Sequence, residues 1–181
     1  MTAVLGPTRN ASIIPLAAGV AVAESIRREV GLEAEVKWPN DVLVGGRKVG
    51  GILAESAWSG GDVRNILLGI GVNVNDRLPP ALPGATSLSE LGGVVGIDRF
   101  TDSLLERLGR RIELLEERPG DLIEAWRSMS STLGRPVEVM SGSGDTVRGV
   151  ALDVDGDGAL LVETGQGVRR FVSGSLRERY C

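Results

Sequence analysis

Histidine is absent from the 181 residues, so no imidazole general base, no His-containing triad and no His-ligated metal can be built within this chain. Cysteine occurs once, as Cys181, which rules out an internal disulfide and a Cys-rich zinc site and fits a reducing cytoplasm. Aromatic residues make up only 3%, too few for a platform that stacks bases. Basic charge is not in excess: Lys plus Arg is 20 against 24 for Asp plus Glu, a net of −4, so the positive field of a general nucleic-acid binder is missing. Long apolar runs are missing too. The longest, around Ile13 to Ala23, contains Pro15 and Gly19 and is too short to cross a bilayer. The opening MTAVLGPTRN lacks the basic-then-apolar order of a signal peptide, and no GxxxxGK[ST] phosphate loop occurs. The expectation is a cytoplasmic protein that engages neither membrane nor nucleic acid.

What is present is an ordinary globular composition, 42% hydrophobic and 24% charged, with one excess. Glycine numbers 26, about 14% of the chain and twice the usual share of about 7%, without a strict period. Such a chain has many tight turns and places where backbone comes close to something else.

A first helix is expected from Ile13 to Val30, with Ser12 as N-cap, Pro15 in the first turn and Gly31 as the left-handed stop. Three strand-like runs follow: Glu35–Val44 broken at Pro39–Asp41, Lys48–Glu55 after the turn signal Gly45-Gly46, and Ile66–Val74. Their short links favour antiparallel neighbours. Asn75 to Gly96 reads as a loop with a short turn near Ser87–Leu91. Apolar spacing then predicts a helix over Asp98–Glu117, stopped by Pro119-Gly120. A third helix is expected from Leu122 to Leu133, with Asp121 and Glu124 near a capping box and Gly134 as its end. From Pro136 onward only short strands appear, at Val137–Met140, Val147–Val154, Ala159–Glu163 and Val168–Val172. The fold class is therefore α+β: a mixed or antiparallel central sheet with flanking helices over residues 1–133, and a small C-terminal β-barrel over 134–181.

The densest chemistry is Lys37-Trp38-Pro39-Asn40-Asp41, where a strand breaks at a proline beside a cation, an amide and a carboxylate. Lys48 follows, then Gly50-Gly51, then Gly69-Ile70-Gly71-Val72-Asn73. Glycines let backbone N–H groups approach a ligand and lysines supply positive charge, which suits an anionic ligand. Each piece also has a plain reading: Lys37 as a solvated strand-end lysine, Trp38 as core, and the glycines as turns.

Order and spacing together are more specific. KWPND, then RKVGGILAE, then LGIGVNVN, then helices and a terminal segment ending in SGSLR resembles the biotin protein ligase family from about Ile13 to Arg177. The resemblance implies a class II synthetase-like catalytic domain with a Src-homology-3-like barrel beside it. It implies joining of biotin to ATP, giving biotinyl-5′-AMP and pyrophosphate, and transfer of biotin to a lysine on the biotin carboxyl carrier domain of a biotin-dependent carboxylase. Magnesium would accompany the ATP phosphates. Lys37 is then the catalytic lysine, which contacts the biotin carboxylate and the reacting phosphate. Gly51 lines the biotin pocket with its backbone, Val42 is a wall position, and Lys48 is a basic position near the adenylate. Asn73 lies near the nucleotide, and Gly71, in the same GIGVN, is grouped with these ligand-binding residues. Asn40 has no evident role, and Asp41 is assigned to holding the loop. A homodimer is one expected assembly. A DNA-binding role would need a winged helix, for which this chain has no counterpart.

The sequence departs from the family pattern at its start. The Ser-Thr-Asn stretch and the GRGRxGR loop have no counterpart, and PTRNAS does not resemble the loop. Residues Thr2–Pro7 read as the tail of a family strand. The expectation is a catalytic domain truncated at its N-terminus, with an unpaired sheet edge and exposed apolar surface. A catalytically impaired piece that only binds the carrier or dimerises is the alternative reading. Asp153-Val154-Asp155-Gly156-Asp157-Gly158 imitates the start of a calcium loop, but Thr164 stands where the bidentate Glu belongs and the flanks alternate like strands. A hairpin turn is expected there, with no metal site. Arg107, Arg110 and Arg111 sit among Glu106, Glu113, Glu116 and Glu117 on a helix and read as a solvated face.

Overall fold

The computed structural model describes residues 1–59, 62–79, 81–82, 84–140 and 145–178. Its first part is a sheet of strands β1 (Thr2–Leu5), β2 (Ala34–Lys37), β3 (Asp41–Val44), β4 (Arg47–Ser59) and β5 (Asp62–Val72). The spatial order is β1-β5-β4-β3-β2 and every pair is antiparallel, so none of the described strands runs parallel to a neighbour. The second part is another antiparallel sheet, from β6 (Pro136–Met140), β7 (Thr146–Val154), β8 (Leu160–Thr164), β9 (Gly167–Phe171) and β10 (Ser175–Glu178). Its order is β10-β6-β7-β8-β9, so the ladder runs from β10 to β9 without closing among the described residues.

The helix α1 (Ile14–Val30) covers one face of the first sheet. It is apolar nearly all round: Ala17, Ala18, Val20, Ala21, Val22, Ala23 and Ile26 are fully buried. Gly19 lets it settle on the sheet, since a Cβ there would already touch Val36 at 3.5 Å. Gly31 ends it at φ 74°, the left-handed conformation a glycine adopts without strain. Ser12 is not the N-cap; a short 3-10 turn over Ala11–Ile13 precedes the helix and Ile13 stands at the cap without a side-chain bond.

The helix α2 (Ile97–Glu117) packs on the far side of α1 through Phe100, Leu104, Leu108 and Leu115. Its arginines are not all solvated. Arg107 and Arg111 reach Glu24 of α1, while Arg110 pairs with Glu106 one turn away at 2.5 Å. Pro119-Gly120 does not merely stop α2; Pro119 opens α3 (Pro119–Met129), because proline is tolerated in a first turn. That shift places Asp121 inside the first turn rather than at a capping box, and Ser130, not Gly134, follows the last helical residue. β10 has no counterpart among the strands expected from the sequence.

The two sheets are tied together. Arg127 of α3 donates to both carboxylate oxygens of Asp153 in β7, at 2.6 and 2.8 Å, and to the Val154 carbonyl at 3.0 Å. Gly134 N–H donates to the Ala151 carbonyl at 2.8 Å. At the opposite end of the first sheet, β1 pairs only with β5 among the described residues. Near that edge Val4, Leu53 and Leu67 are 66%, 60% and 40% exposed.

Candidate active site

The KWPND segment folds into the turn between β2 and β3, through a cis Trp38-Pro39 bond. Asn40 holds that turn against β4: its side-chain amide donates to the Ile52 carbonyl at 2.7 Å, and Ile52 N–H donates to the Asn40 carbonyl at 2.9 Å. This gives Asn40 the structural task its sequence context left open.

Register then sets the site. Lys37 pairs with Asp41, Asp41 with Gly51, and Gly51 with Gly71, so these four residues form one row across four strands. Directly paired residues share a face, and this face is the one α1 does not cover. Gly51 and Gly71 make it a floor of bare backbone. A Cβ on Gly51 would lie 3.3 Å from Cε and Nζ of Lys48, so glycine leaves the room Lys48 needs to fold across. Lys48 Nζ does so, reaching Asp41 Oδ1 at 2.5 Å.

The charges are thereby divided. Asp41 neutralises Lys48, and Lys37 makes no ion pair with any of the described residues. Lys37 lines a cleft and is half-buried. An opposite charge brought beside it gains a charge-assisted hydrogen bond, worth about 1.5–3 kcal/mol.

Asn73 closes the end of the site. Its N–H donates to the Val49 carbonyl at 2.8 Å and its side-chain amide donates to the Thr86 carbonyl at 3.1 Å. The segment around Thr86 runs beside Lys48: Lys48 N–H donates to the Gly84 carbonyl and Thr86 N–H to the Lys48 carbonyl. Glu90 anchors this segment by accepting from Leu78 N–H, the Thr86 hydroxyl and Ser87 N–H. Burial works against its charge, but those hydrogen bonds and Arg47 win and hold the carboxyl below its ordinary value. Between this segment, the sheet and β10 lies a cleft of about 610 Å³, lined by Lys37, Asp41, Leu43, Lys48, Leu82 and Arg177 among others. Its mixture of leucines and cations fits a ligand with an apolar body and an anionic end.

Of the six residues singled out from the sequence, Lys37, Lys48, Gly51 and Gly71 come together on the open face, and Asn73 stands at its end. Val42 does not join them. It is fully buried on the helix side, in the core with Val36. Side chains alternate along β3, so Leu43, on the opposite face from Val42, is the residue that lines the cleft with Asp41; the register shift at this point leaves its extra residue, Val49, on β4. Nothing local marks Leu43 and Leu82, and Arg177 lies in the SGSLR segment, which points to the family but not to a place in the cleft. One signal was available: the chain has two lysines against eighteen arginines, and both lysines are in this cleft.

The calcium-loop imitation is a hairpin. The Asp155 carboxylate accepts from Asp157 N–H and Ala159 N–H and pairs with Arg170 at 2.5 Å, so its oxygens are committed. No group of acids or cysteines among the described residues is placed to hold a metal ion. Among them also, no helix is long and apolar enough to cross a membrane. Cys181 lies outside the described residues.

The fold and the site define an α+β protein that presents one unpaired lysine in a row with two facing glycines on the open face of its first sheet, beside a cleft that Leu176 and Arg177 of the second β unit help to line. Comparison with known proteins gives that class a family. Residues 3–73 match the Biotin/lipoate A/B protein ligase family and residues 132–175 match the Biotin protein ligase C terminal domain. The chain is 33% identical to the bifunctional ligase/repressor BirA of Bacillus spizizenii over 94% of its own length and 54% of the relative's. It is 36% identical to the biotin–[acetyl-CoA-carboxylase] ligase of Mycobacterium tuberculosis over 84% of the chain and 57% of that protein. The biotin protein ligase of Aquifex aeolicus, solved with biotin and ATP, superposes with a TM-score of 0.87 at 26% identity, covering 98% of this chain and 77% of that one. The chain belongs to the biotin protein ligase family. It spans about half the length of the curated relatives it matches.

Proposed function

We propose that the chain serves biotin–[carrier protein] ligation, as an ATP-dependent ligase whose site is the open face of the first sheet. Biotin's carboxylate oxygen attacks the α-phosphorus of ATP, the bond to the bridging oxygen of pyrophosphate breaks, and biotinyl-5′-AMP forms. The amine of a lysine on the biotin carboxyl carrier domain of a carboxylase then attacks the acyl carbon and AMP leaves. Lys37 holds the carboxylate and the α-phosphate together and stabilises the charge that develops on phosphorus. Gly51 and Gly71 are the floor, Lys48 lies near the adenylate, and Asn73 fixes the nucleotide end. Val42 supports that floor from beneath rather than walling it. Magnesium enters with ATP as part of the substrate, since the described side chains offer it no cage. Residues 1–133 form the catalytic part and 134–181 the smaller β domain.

The observation that carries this reading is the unspent charge of Lys37 beside the Gly51–Gly71 pair. Biotin-dependent ATP–pyrophosphate exchange tests it. Exchange by the 181-residue chain that Lys37→Ala lowers by about 10²–10³-fold is the expected result; undiminished exchange in that variant overturns the role of Lys37. A second reading, a carrier-binding or dimerising module without turnover, is favoured by one feature, the exposed Val4, Leu53 and Leu67 beside the β1 edge. Absence of exchange together with a concentration-dependent mass in solution selects it.

A further inference from the structure

The catalytic lysine of this reading stands at the end of an edge strand only four residues long. β2 has a sheet ladder on one side alone, and short edge strands fray. Here the other side is filled from the far end of the chain. Val36 bridges to Ser130, and the Val36 carbonyl accepts from Ser131 N–H at 2.9 Å and from its hydroxyl at 3.3 Å. On the other flank of Lys37, the Trp38 N–H donates to the Thr132 hydroxyl at 3.0 Å. Trp38's indole N–H donates to the Gly158 carbonyl at 3.1 Å. Trp38 and Thr132 are buried, so neither donor has water as a substitute partner.

Gly158 belongs to the turn that imitates a calcium loop, and that turn is built to stay put. Asp155's carboxylate ties it internally and to Arg170, and Gly158 N–H donates to the Asp155 carbonyl at 2.9 Å. Gly158 has φ +79°, and a Cβ there would lie 2.8 Å from Ile13 and 3.0 Å from Leu16, so the turn is pressed against the start of α1. We infer that the junction Ser130–Thr132 and the turn Asp155–Gly158 form a clamp that positions Lys37, making Thr132 and Trp38 positioning residues for adenylate formation. The junction before the second β unit thus fixes the backbone on both sides of the lysine, and a turn of that unit holds the Trp38 side chain. The inference rests on the proposed role of Lys37.

Because the chain has only two lysines, lysine carrying ¹³C at Cε gives two signals, and Lys37→Arg assigns them. The test compares Thr132→Val, Thr132→Ser and Trp38→Phe with the parent chain. Two readouts are used: the Lys37 signal, free and with inorganic pyrophosphate, and the kcat and KM of biotin-dependent ATP–pyrophosphate exchange. In Thr132→Val and Trp38→Phe the Lys37 signal broadens and its response to pyrophosphate falls at least about threefold, while Lys48 keeps its parent signal. In the same two variants kcat falls about tenfold or more, with KM for ATP and biotin within about twofold, the split expected of lost positioning. Thr132→Ser restores both readouts. A parent-like Lys37 signal in folded Thr132→Val and Trp38→Phe overturns the clamp. If Thr132→Val fails to fold, Trp38→Phe decides. If the parent chain shows no exchange, the catalytic reading fails separately, and the Lys37 signal alone decides whether the clamp exists.

Discussion

The two faces of the first sheet come from the same strands and are held by opposite means. The face under α1 carries Val36, Val42, Ile52, Ile66, Leu68 and Ile70, all between 0% and 4% exposed. The other face carries Lys37, Asp41, Gly51 and Gly71 in one row, and exposed Leu53, Leu67 and Val4 further along. Burial explains the first face completely, since any apolar set of the right volume meets its demand. It explains almost nothing on the second. A lysine without an ion pair contributes little to folding, and the proposed function accounts for it as a ligand contact.

Substitutions should separate the faces, the largest effect coming from the covered one. Leu68→Ala leaves a cavity beneath α1 and should cost about 2–5 kcal/mol of stability, read as a lower urea midpoint at unchanged m-value. Lys37→Ala should do the reverse, with stability within about 0.5 kcal/mol of the parent and exchange activity down about 10²–10³-fold. Val42→Ala and Leu43→Ala sharpen the contrast between neighbours. The first should lose about 1–3 kcal/mol with both KM values within about twofold, the second should raise KM more than it lowers the unfolding midpoint. Equal behaviour of this pair would dissolve the distinction between the two faces of β3.

The smallest effect concerns Glu90, which fastens the segment over the open face. Its folded value lies below the ordinary 4.5, so its contribution is fully present above about pH 4.5 and is lost as pH falls through the lower folded value. The urea-midpoint gap between the parent and Glu90→Gln should therefore stay level from about pH 7 to 5 and close below about 4.5. A gap that widens on acidification contradicts this assignment.

Much of this architecture can be read from local patterns. Apolar spacing and Gly31 place α1, and glycine and proline punctuation separates β2, β3, β4 and β5. The errors have local causes as well. A proline after a helix can end it or begin the next, and Pro119 does the second. Arg107 and Arg111 lie in a run of alternating charge that reads as solvated, yet Glu24 on α1 draws them inward. β10 is four residues long and pairs with β6, some forty residues earlier, so no turn signal announces it.

The sequence alone determined the α+β class, most element positions, the lysines and glycines that can meet an anion, and the family resemblance, because periodicity, turn chemistry and motif spacing are local properties. Only the tertiary structure decided how those residues divide their work. Strand alternation turns Val42 to the core and Leu43 to the cleft, and since DVLV is apolar at both positions, only packing against α1 decides which of the two faces inward. Asp41 spends its charge on Lys48 and leaves Lys37 free, a choice set by which side chain reaches across Gly51. Trp38 meets Gly158 across 120 residues, and an interaction at that separation leaves no period or spacing in the sequence by which it could be read.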